Sequence, residues 1–267
     1  MGIVTACLLL AGCNLPRASL TPTTDVQLGT IVSQTLEALP TSTSLPNTPT
    51  PAAPTATVQP EFTPTPISGD PAVTLGNPTA KDTLESGKGF GISDGGYDDG
   101  QVKIFVNNGM LVFQSSGTGG WRSWRVRPPS LTDFYMDAKF QVNSCSGSDS
   151  FGLVLRTPDY ESGQGYYYGL TCDGRVFFSS SNTSSTPTQI MPPTQLPPEI
   201  YTGGANQTIH LGVMAKSDTY KLFVNGKEIQ TVTDASFKEG FFGMFSAGFS
   251  GGLSVGLDEL AYWNNIK

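Results

Sequence analysis

Aromatic and planar polar side chains in the C-terminal two thirds of the chain could bind a sugar. Sugars present apolar C–H faces and a ring of hydroxyl groups, so a binding groove pairs aromatic rings with planar hydrogen-bonding groups. Two tryptophans flank an arginine, two tyrosines share one face of a predicted strand, and another arginine lies on the strand face opposite two leucines. The alternative for each of these residues is a place in the hydrophobic core. The candidate ligand-binding residues are Trp121, Trp124, Arg156, Tyr166 and Tyr168.

Acid–base and nucleophilic chemistry have weaker support in the sequence. Retaining glycoside hydrolysis needs two carboxyl groups about 5–5.5 Å apart, but the six glutamates beyond residue 80 fall mostly at predicted turns and none has a Glu-x-Asp-x-Glu spacing. The single histidine, His210, alternates with Ile209 and Leu211, which puts it on the strand face away from them. No serine is predicted on a strand-to-helix turn of the kind that activates a nucleophile. The sequence therefore favours a non-enzymatic function, and we assign no catalytic residue.

A cysteine near the N-terminus follows an apolar run that ends in Leu10-Ala11-Gly12-Cys13. Small residues directly before a thiol are typical of the cleavage and acylation box of bacterial lipoprotein signal peptides. The run is too short for a membrane-spanning helix, which needs about 20 residues. We expect residues 1–12 to be a signal peptide, Cys13 to carry a lipid, and the mature protein to be extracytoplasmic and anchored to the cell membrane. The alternative is an ordinary apolar N-terminus.

Residues 13–79 have the composition of a tether. They are rich in Thr, Pro, Ser and Ala and carry little charge, so they cannot bury enough apolar area to offset their chain entropy and are predicted to be disordered. A short helix is a candidate over residues 25–38, where apolar residues recur at helical spacing between a capping box and Pro40. An extended Pro-rich tether of this length could hold a domain up to about 200 Å from a membrane.

Residues 80–267 are predicted to form one all-β domain. Apolar and polar residues alternate from Phe134 to Val142, and this period of two is typical of a strand with one face in a core. Similar segments recur between glycine-rich turns, of which Asn225-Gly226 is the clearest hairpin turn. Residues 100–113 are predicted as one strand and residues 181–200 as a Pro-rich loop. The pattern predicts a two-sheet antiparallel sandwich.

The remaining cysteines are expected to form a disulfide. Cys7 lies in the predicted signal peptide and Cys13 is the lipidation site, so Cys145 and Cys172 are left as a pair at predicted strand ends. An oxidising exterior favours their pairing. The alternatives are two free thiols or half of a metal site.

Five segments carry a family resemblance: Cys145–Arg156, Tyr166–Arg175, Leu222–Lys227, Gly240–Phe245 and Val255–Leu260. They resemble the concanavalin A-like lectin/glucanase jelly rolls, and more narrowly the laminin G-like and 3-keto-disaccharide hydrolase-like domains. The resemblance covers most of residues 80–267. It implies a jelly-roll sandwich, while its motifs specify the fold better than the function.

The resemblance also implies a structural Ca2+ ion as the candidate cofactor. Asp258 matches the position of an oxygen ligand on the closing strand, and Asp94, Asp98 and Asp99 lie in an early glycine-rich loop. The alternative is that these aspartates are solvated turn residues.

The charge of the chain limits its partners. A formal net charge of −7 and an isoelectric point near 4.6 exclude nucleic acid as a partner and disfavour an anionic polysaccharide. We expect a lipid-anchored protein that displays a non-catalytic, lectin-like domain for a polysaccharide or glycoconjugate. One alternative is a structural or adhesive module that binds a surface protein, and another is a glycoside hydrolase of the 3-keto-disaccharide type.

Overall fold

The computed structural model describes residues 69–116, 119–182, 186–264 and 266 of the 267-residue chain. The predicted signal peptide, the lipidation site Cys13, the tether up to residue 68 and the candidate helix 25–38 lie outside the described residues. None of the helices within the described ranges is long and apolar enough to cross a membrane.

The described chain consists mainly of β-strands, which pair into two antiparallel sheets. The strand order is β13-β12-β11-β6-β15-β4-β3-β2 in the larger sheet, where β1 also pairs with β15, and β10-β9-β8-β7-β14-β5 in the smaller. This arrangement confirms the predicted all-β sandwich, the architecture that the concanavalin A-like resemblance implies. The elements in chain order are α1 (Pro71–Leu75), β1 (Ala80–Asp82), a 3₁₀ helix (Gly87–Phe90), β2 (Tyr97–Asp98), β3 (Val102–Asn107), β4 (Met110–Ser115), β5 (Trp121–Leu131), β6 (Phe134–Ser144), β7 (Ser150–Thr157), β8 (Gly165–Thr171), β9 (Arg175–Ser181), β10 (Thr188–Gln195), β11 (Gln207–Lys216), β12 (Thr219–Val224), β13 (Lys227–Thr233), β14 (Gly240–Gly248) and β15 (Ser254–Asn264).

The main core lies between the two sheets and follows from the period-two pattern. On β6, Phe134, Met136 and Phe140 are at most 1% exposed, whereas the alternating Asp137 and Lys139 are only partly buried. Side chains of β7 and β8 face them from the smaller sheet within the same buried cluster. Each sheet therefore has one face in this core and an outer face on which another set of residues is placed.

Several strands differ from the expectation, including the short β1 and β2, which were not predicted. Residues 100–113 form two strands and not one, because Asn108 and Gly109 adopt positive φ angles of 50° and 70°, as the Asn225-Gly226 turn does. β5 was not predicted, and β10 lies inside the predicted Pro-rich loop. β10 is an edge strand, which is where a sheet tolerates proline, since one side of the strand needs no hydrogen-bonded partner.

The disulfide between Cys145 and Cys172 is present, with a Cα–Cα distance of 5.2 Å, and confirms the predicted pairing. Cys145 follows β6 of the larger sheet, and Cys172 follows β8 of the smaller sheet. The bond therefore links the two sheets covalently at one end of the sandwich.

Residues 70–79, which the composition assigns to the tether, pack on the outer face of the larger sheet. Leu75 contacts a cluster that contains Tyr135 and Trp263. The indole Nε1 of Trp263 donates a hydrogen bond of 2.8 Å to the carbonyl of Gly76, and the hydroxyl of Tyr135 donates one of 3.2 Å to Asp70. The folded part of the chain thus includes residues before Ala80.

The side chain of Arg156 is fully buried at the end of the sandwich away from the disulfide. It donates hydrogen bonds to the Ser217 carbonyl at 2.8 Å, to the Phe237 carbonyl at 3.0 Å, and to the Thr132 carbonyl and the Tyr220 hydroxyl. These acceptors lie after β5, between β11 and β12, on β12 and before β14. One guanidinium group therefore holds a strand of the smaller sheet against three connecting segments.

Replacing Arg156 with methionine should lower the free energy of unfolding by about 3–5 kcal/mol, because a fully buried side chain loses its hydrogen bonds to three carbonyls and to the Tyr220 hydroxyl. Chemical denaturation followed by tryptophan fluorescence measures the change. The matched control is Arg175→Met: Arg175 is on β9, pairs with Asp173 and is partly exposed, so its loss should cost at most about 1 kcal/mol. Equal effects of the two substitutions would contradict the structural role of Arg156.

Candidate functional site

A groove of about 410 Å³ lies on the outer face of the smaller sheet. Every strand of that sheet contributes to it, so the site rests on a hydrogen-bonded framework and not on a single loop. Its lining combines six aromatic residues with a few polar side chains. The aromatic lining residues are Trp121, Trp124, Tyr167, Phe177, Phe245 and Phe249.

One glycine, Gly169, shapes the floor of the groove. The strand register aligns Trp124, Phe245, Gly152, Gly169 and Phe177 in one row across the outer face. A Cβ atom on Gly169 would lie 2.6 Å from Cζ of Phe245 and 2.9 Å from Cζ of Phe177. The two phenylalanine rings can therefore lie against bare backbone, which deepens the surface between the strands.

The structure places Trp121 and Trp124 in the lining, and both are partly exposed. The indole Nε1 of Trp124 donates a hydrogen bond of 3.2 Å to the Tyr160 carbonyl. A Cβ on Gly163 would lie 2.8 Å from Trp124 Cη2, so the ring also packs against the β7–β8 connection. Trp124 is thus positioned to contact a ligand. Trp121 also borders the groove, but it packs against the core between the sheets. Contact of either ring with a ligand remains a prediction.

The middle tyrosine of β8 faces the groove. Tyr167 donates a hydrogen bond of 2.7 Å to the Gly163 carbonyl and packs edge-on against Phe245 with ring centroids 5.1 Å apart. Burial raises the pKa of Tyr167 to about 12, and the nearby guanidinium of Arg122 opposes this shift. The hydroxyl is therefore protonated at neutral pH, and its proton is donated to the Gly163 carbonyl.

The prediction that Tyr166 and Tyr168 contact a ligand is wrong, because both are fully buried in the core between the sheets. Tyr166 donates a hydrogen bond of 2.7 Å to Asp234, and Tyr168 donates one of 2.8 Å to the Phe223 carbonyl. The alternation along β8 was correct, but the sequence does not show which of its two faces is the inner one.

The prediction for Arg156 is also wrong, for a different physical reason. Strict alternation puts Arg156 on the same outer face as Val154, but β7 carries one extra residue between Val154 and Thr157 relative to β14. Arg156 lies in this bulge with a φ of 50°, and its side chain turns inward. The bulge removes Arg156 from the candidate site.

The polar lining consists of planar and hydroxyl groups. Arg122 lies over Tyr167 with its guanidinium carbon 4.2 Å from the ring centroid, and Gln189 and two serines, Ser150 and Ser179, complete the polar set. The sequence offered Tyr167 only as the residue on the opposite face from Tyr166 and Tyr168, and it did not include Phe177 or Phe245. Their alternation with buried neighbours was visible, but the pairing of β5 with β14 that brings them beside Trp124 was not.

One end of the groove is held by a buried carboxylate. Oδ1 of Asp149 accepts hydrogen bonds from the backbone N–H groups of Phe249 and Ser250 at 2.6 and 2.8 Å. These bonds fix the segment after β14, where Phe249 is 56% exposed. An exposed apolar ring is therefore held at the rim of the groove.

Asp258, the predicted calcium ligand, forms an ion pair with a lysine: its Oδ2 lies 2.7 Å from Nζ of Lys139. Asp98 pairs with Lys103 at 3.1 Å, and Asp99 accepts hydrogen bonds from the N–H groups of Gln101 and Val102. Within the described ranges no three His, Cys, Asp or Glu side chains are grouped so that they could hold a metal ion. The calcium at Asp258 remains a prediction.

His210 lies on the outer face of the larger sheet, as its alternation predicts, and not in the groove. Its Nδ1 is 3.1 Å from Oδ2 of Asp137. The hydrogen bond to Asp137 raises the pKa of His210, and burial raises the pKa of Asp137 although His210 opposes that shift.

The comparisons with known proteins find similarity at the level of structure only. No protein-family model matches the chain, and no curated protein matches it. The carbohydrate-binding module CBM66 from Bacillus subtilis aligns with a TM-score of 0.44 and 19% identity, covering 57% of this chain and 83% of that chain. The catalytic domain of a laminarinase from Thermotoga petrophila aligns with a TM-score of 0.48 and 10% identity, covering 71% and 98%. The VIP36 exoplasmic/lumenal domain, in a Ca2+/Man3GlcNAc-bound form, aligns with a TM-score of 0.45 and 10% identity, covering 62% and 83%.

Replacing His210 with asparagine should remove a pH-dependent part of the stability. The pKa of His210 is raised above its unfolded value of about 6.5, so the imidazolium stabilises the fold fully below that pH and loses this effect as the pH rises through the folded pKa. The difference in free energy of unfolding between wild type and H210N should therefore fall from about pH 5 to about pH 8.

The control for this measurement is Asp137→Asn, which removes the partner carboxylate and should flatten the pH dependence that His210 contributes. A stability difference that stays constant or grows with pH would contradict a stabilising role of the charged His210–Asp137 pair.

Proposed function

We propose that this domain binds carbohydrate non-catalytically through the groove on the outer face of the smaller sheet. The observation that carries the proposal is the pairing of a partly exposed tryptophan with planar polar groups on one rigid surface. Trp124 offers an apolar face for a sugar ring, with Trp121 at the border of the groove, and Arg122 and Gln189 offer hydrogen bonds to hydroxyl groups. These are the two kinds of contact that a sugar ring requires.

The character of the lining supports binding over hydrolysis. Among the described residues that line the groove there is no aspartate, glutamate or histidine. Hydrolysis of a glycosidic bond by the usual route needs a pair of carboxyl groups on either side of that bond. A glycoside hydrolase of the 3-keto-disaccharide type is therefore the less favoured proposal.

We propose further that the domain is displayed outside the cytoplasm on a lipid attached to Cys13. The Leu10-Ala11-Gly12-Cys13 box and the Thr/Pro-rich segment that follows it support this proposal. The disulfide between Cys145 and Cys172 is in keeping with an oxidising compartment. The membrane would then be a partner through the lipid, while the groove remains free for a polysaccharide or glycoconjugate.

A second candidate function is binding to a surface protein. Phe249 at the groove rim is 56% exposed, and Tyr160, whose carbonyl holds Trp124, is 53% exposed. Exposed aromatic rings of this kind are enriched in protein interfaces. This alternative predicts retention on a protein and no retention on any polysaccharide.

Substituting Trp124 with alanine should weaken glycan retention by at least about tenfold, because the aromatic face at the groove edge is lost. Affinity electrophoresis of the mature protein on neutral and acidic polysaccharides, with Ca2+ and with chelator, measures retention. The matched control is Tyr97→Ala, since Tyr97 is an exposed aromatic residue of the larger sheet and its loss should leave binding unchanged.

Unchanged retention of a folded Trp124 variant would contradict a binding site in this groove. Circular dichroism and the melting temperature show whether the variant is folded. Loss of retention in chelator would instead support the calcium proposal, which Asp258→Asn tests directly.

Replacing Cys13 with serine should abolish lipid attachment, because the lipid is attached through the sulfur atom of the cysteine. Expression of the full chain in a bacterial host with labelled palmitate should label the wild type and not the C13S variant, and only the wild type should partition into detergent. Labelling of C13S, or an unlabelled wild type, would contradict lipidation at this residue.

A further inference from the structure

Arg122 is placed in the groove by the edge strand of the smaller sheet. Its guanidinium lies 4.2 Å from the ring centroid of Tyr167 and 5.8 Å from that of Trp124, and Nη2 is 3.5 Å from the hydroxyl of Ser181. Among the described residues that line the groove, Arg122 is the one with a formal charge. A single cation therefore lies on the surface that we propose for sugar binding.

Arg122 differs in its surroundings from two other arginines of the same sheet. Arg127 pairs with Asp82, and Arg175 pairs with Asp173. The ion pairs found within the described ranges do not include Arg122. Among the described residues, the groups beside the Arg122 charge are aromatic faces and a serine hydroxyl, and not a carboxylate.

A guanidinium that stacks on aromatic rings keeps its plane along the rings and directs its N–H groups outward from its edge. Two parallel N–H groups in this position match the two oxygens of a carboxylate, and such charge-assisted pairs are stronger than hydrogen bonds to neutral hydroxyl groups. The stacking on Tyr167 thus orients Arg122 for a planar anion.

We propose that the groove selects acidic sugars, with Arg122 binding the carboxylate of a uronic acid residue while Trp124 contacts the sugar ring. This inference rests on the carbohydrate-binding function proposed above. The net charge of −7 favours the opposite preference. However, the effect of distant exposed charges is screened over about 8 Å at physiological ionic strength, whereas Arg122 acts by direct contact.

Polygalacturonate and its methyl-esterified form provide a matched pair of probes, because they share a backbone and differ in the charge of the carboxyl group. In affinity electrophoresis of the mature protein, the acid form should be retained at least about tenfold more tightly than the ester. Arg122→Gln keeps a planar hydrogen-bonding group and should reduce retention of the acid to that of the ester. Arg122→Lys should keep only part of the preference.

The control is Arg125→Gln on the same strand, because Arg125 stacks on Tyr97 and does not line the groove. This variant should bind like the wild type. Equal retention of acid and ester by the wild type, or a preference for the acid that survives Arg122→Gln, would overturn the proposal. Arg122-dependent binding of dextran sulfate without binding of polygalacturonate would overturn the assignment of a carboxylate.

The two proposals fail in different ways. Trp124-dependent retention of neutral polysaccharides with no preference for acid forms would overturn the role of Arg122 and leave the carbohydrate-binding function intact. No retention of any polysaccharide, neutral or acidic, would overturn both.

Discussion

A β-strand points alternate side chains to opposite faces, and this constraint governs the whole domain. A sandwich uses one face of each sheet for its shared core, so the other face must be solvated, covered or used. In the larger sheet the outer face is partly covered by the segment around α1, with Leu75 packed near Tyr135 and Trp263. In the smaller sheet the outer face carries a second aromatic cluster that forms the floor and walls of the groove. The candidate site is thus the face of the smaller sheet that the core does not use.

The aromatic surface of the groove depends on glycine at central positions of the sheet. Gly152 and Gly169 are paired across β7 and β8. Gly169 leaves space that the rings of Phe245 and Phe177 occupy, whereas a Cβ on Gly152 would clash with the backbone of Tyr168 and Gly169. A larger residue at position 169 would displace the rings, and one at position 152 would disturb the pairing of the strands. The conformation of the site is therefore set by backbone pairing and close packing, which gives a preorganised surface and reduces the entropy lost on binding.

Arg122 and Arg156 show how one residue of register changes the role of a side chain. Arg122 follows the regular alternation of β5 and lies on the outer face beside Tyr167. Arg156 lies in a bulge of β7, so its side chain enters the core and serves three carbonyls. The guanidinium of Arg122 lines the groove, where it could contact a ligand, whereas that of Arg156 is buried and hydrogen-bonded within the domain. Their chemistry is identical, and only the backbone geometry separates a candidate ligand contact from a structural one.

The sequence by itself determined most of the strands, the alternation along them, most of the turns and the Cys145–Cys172 pair, because these depend on local pattern or on simple counting. Only the tertiary structure decided which face of β8 is inner, since Tyr166 to Tyr168 are alike in the sequence and packing against the second sheet distinguishes them. The bulge at Arg156 and the edge position of β10 were likewise decided by pairing with distant strands. A period of two identifies two faces but not their environments, and the environment of each face is fixed by strands that lie far away in the chain.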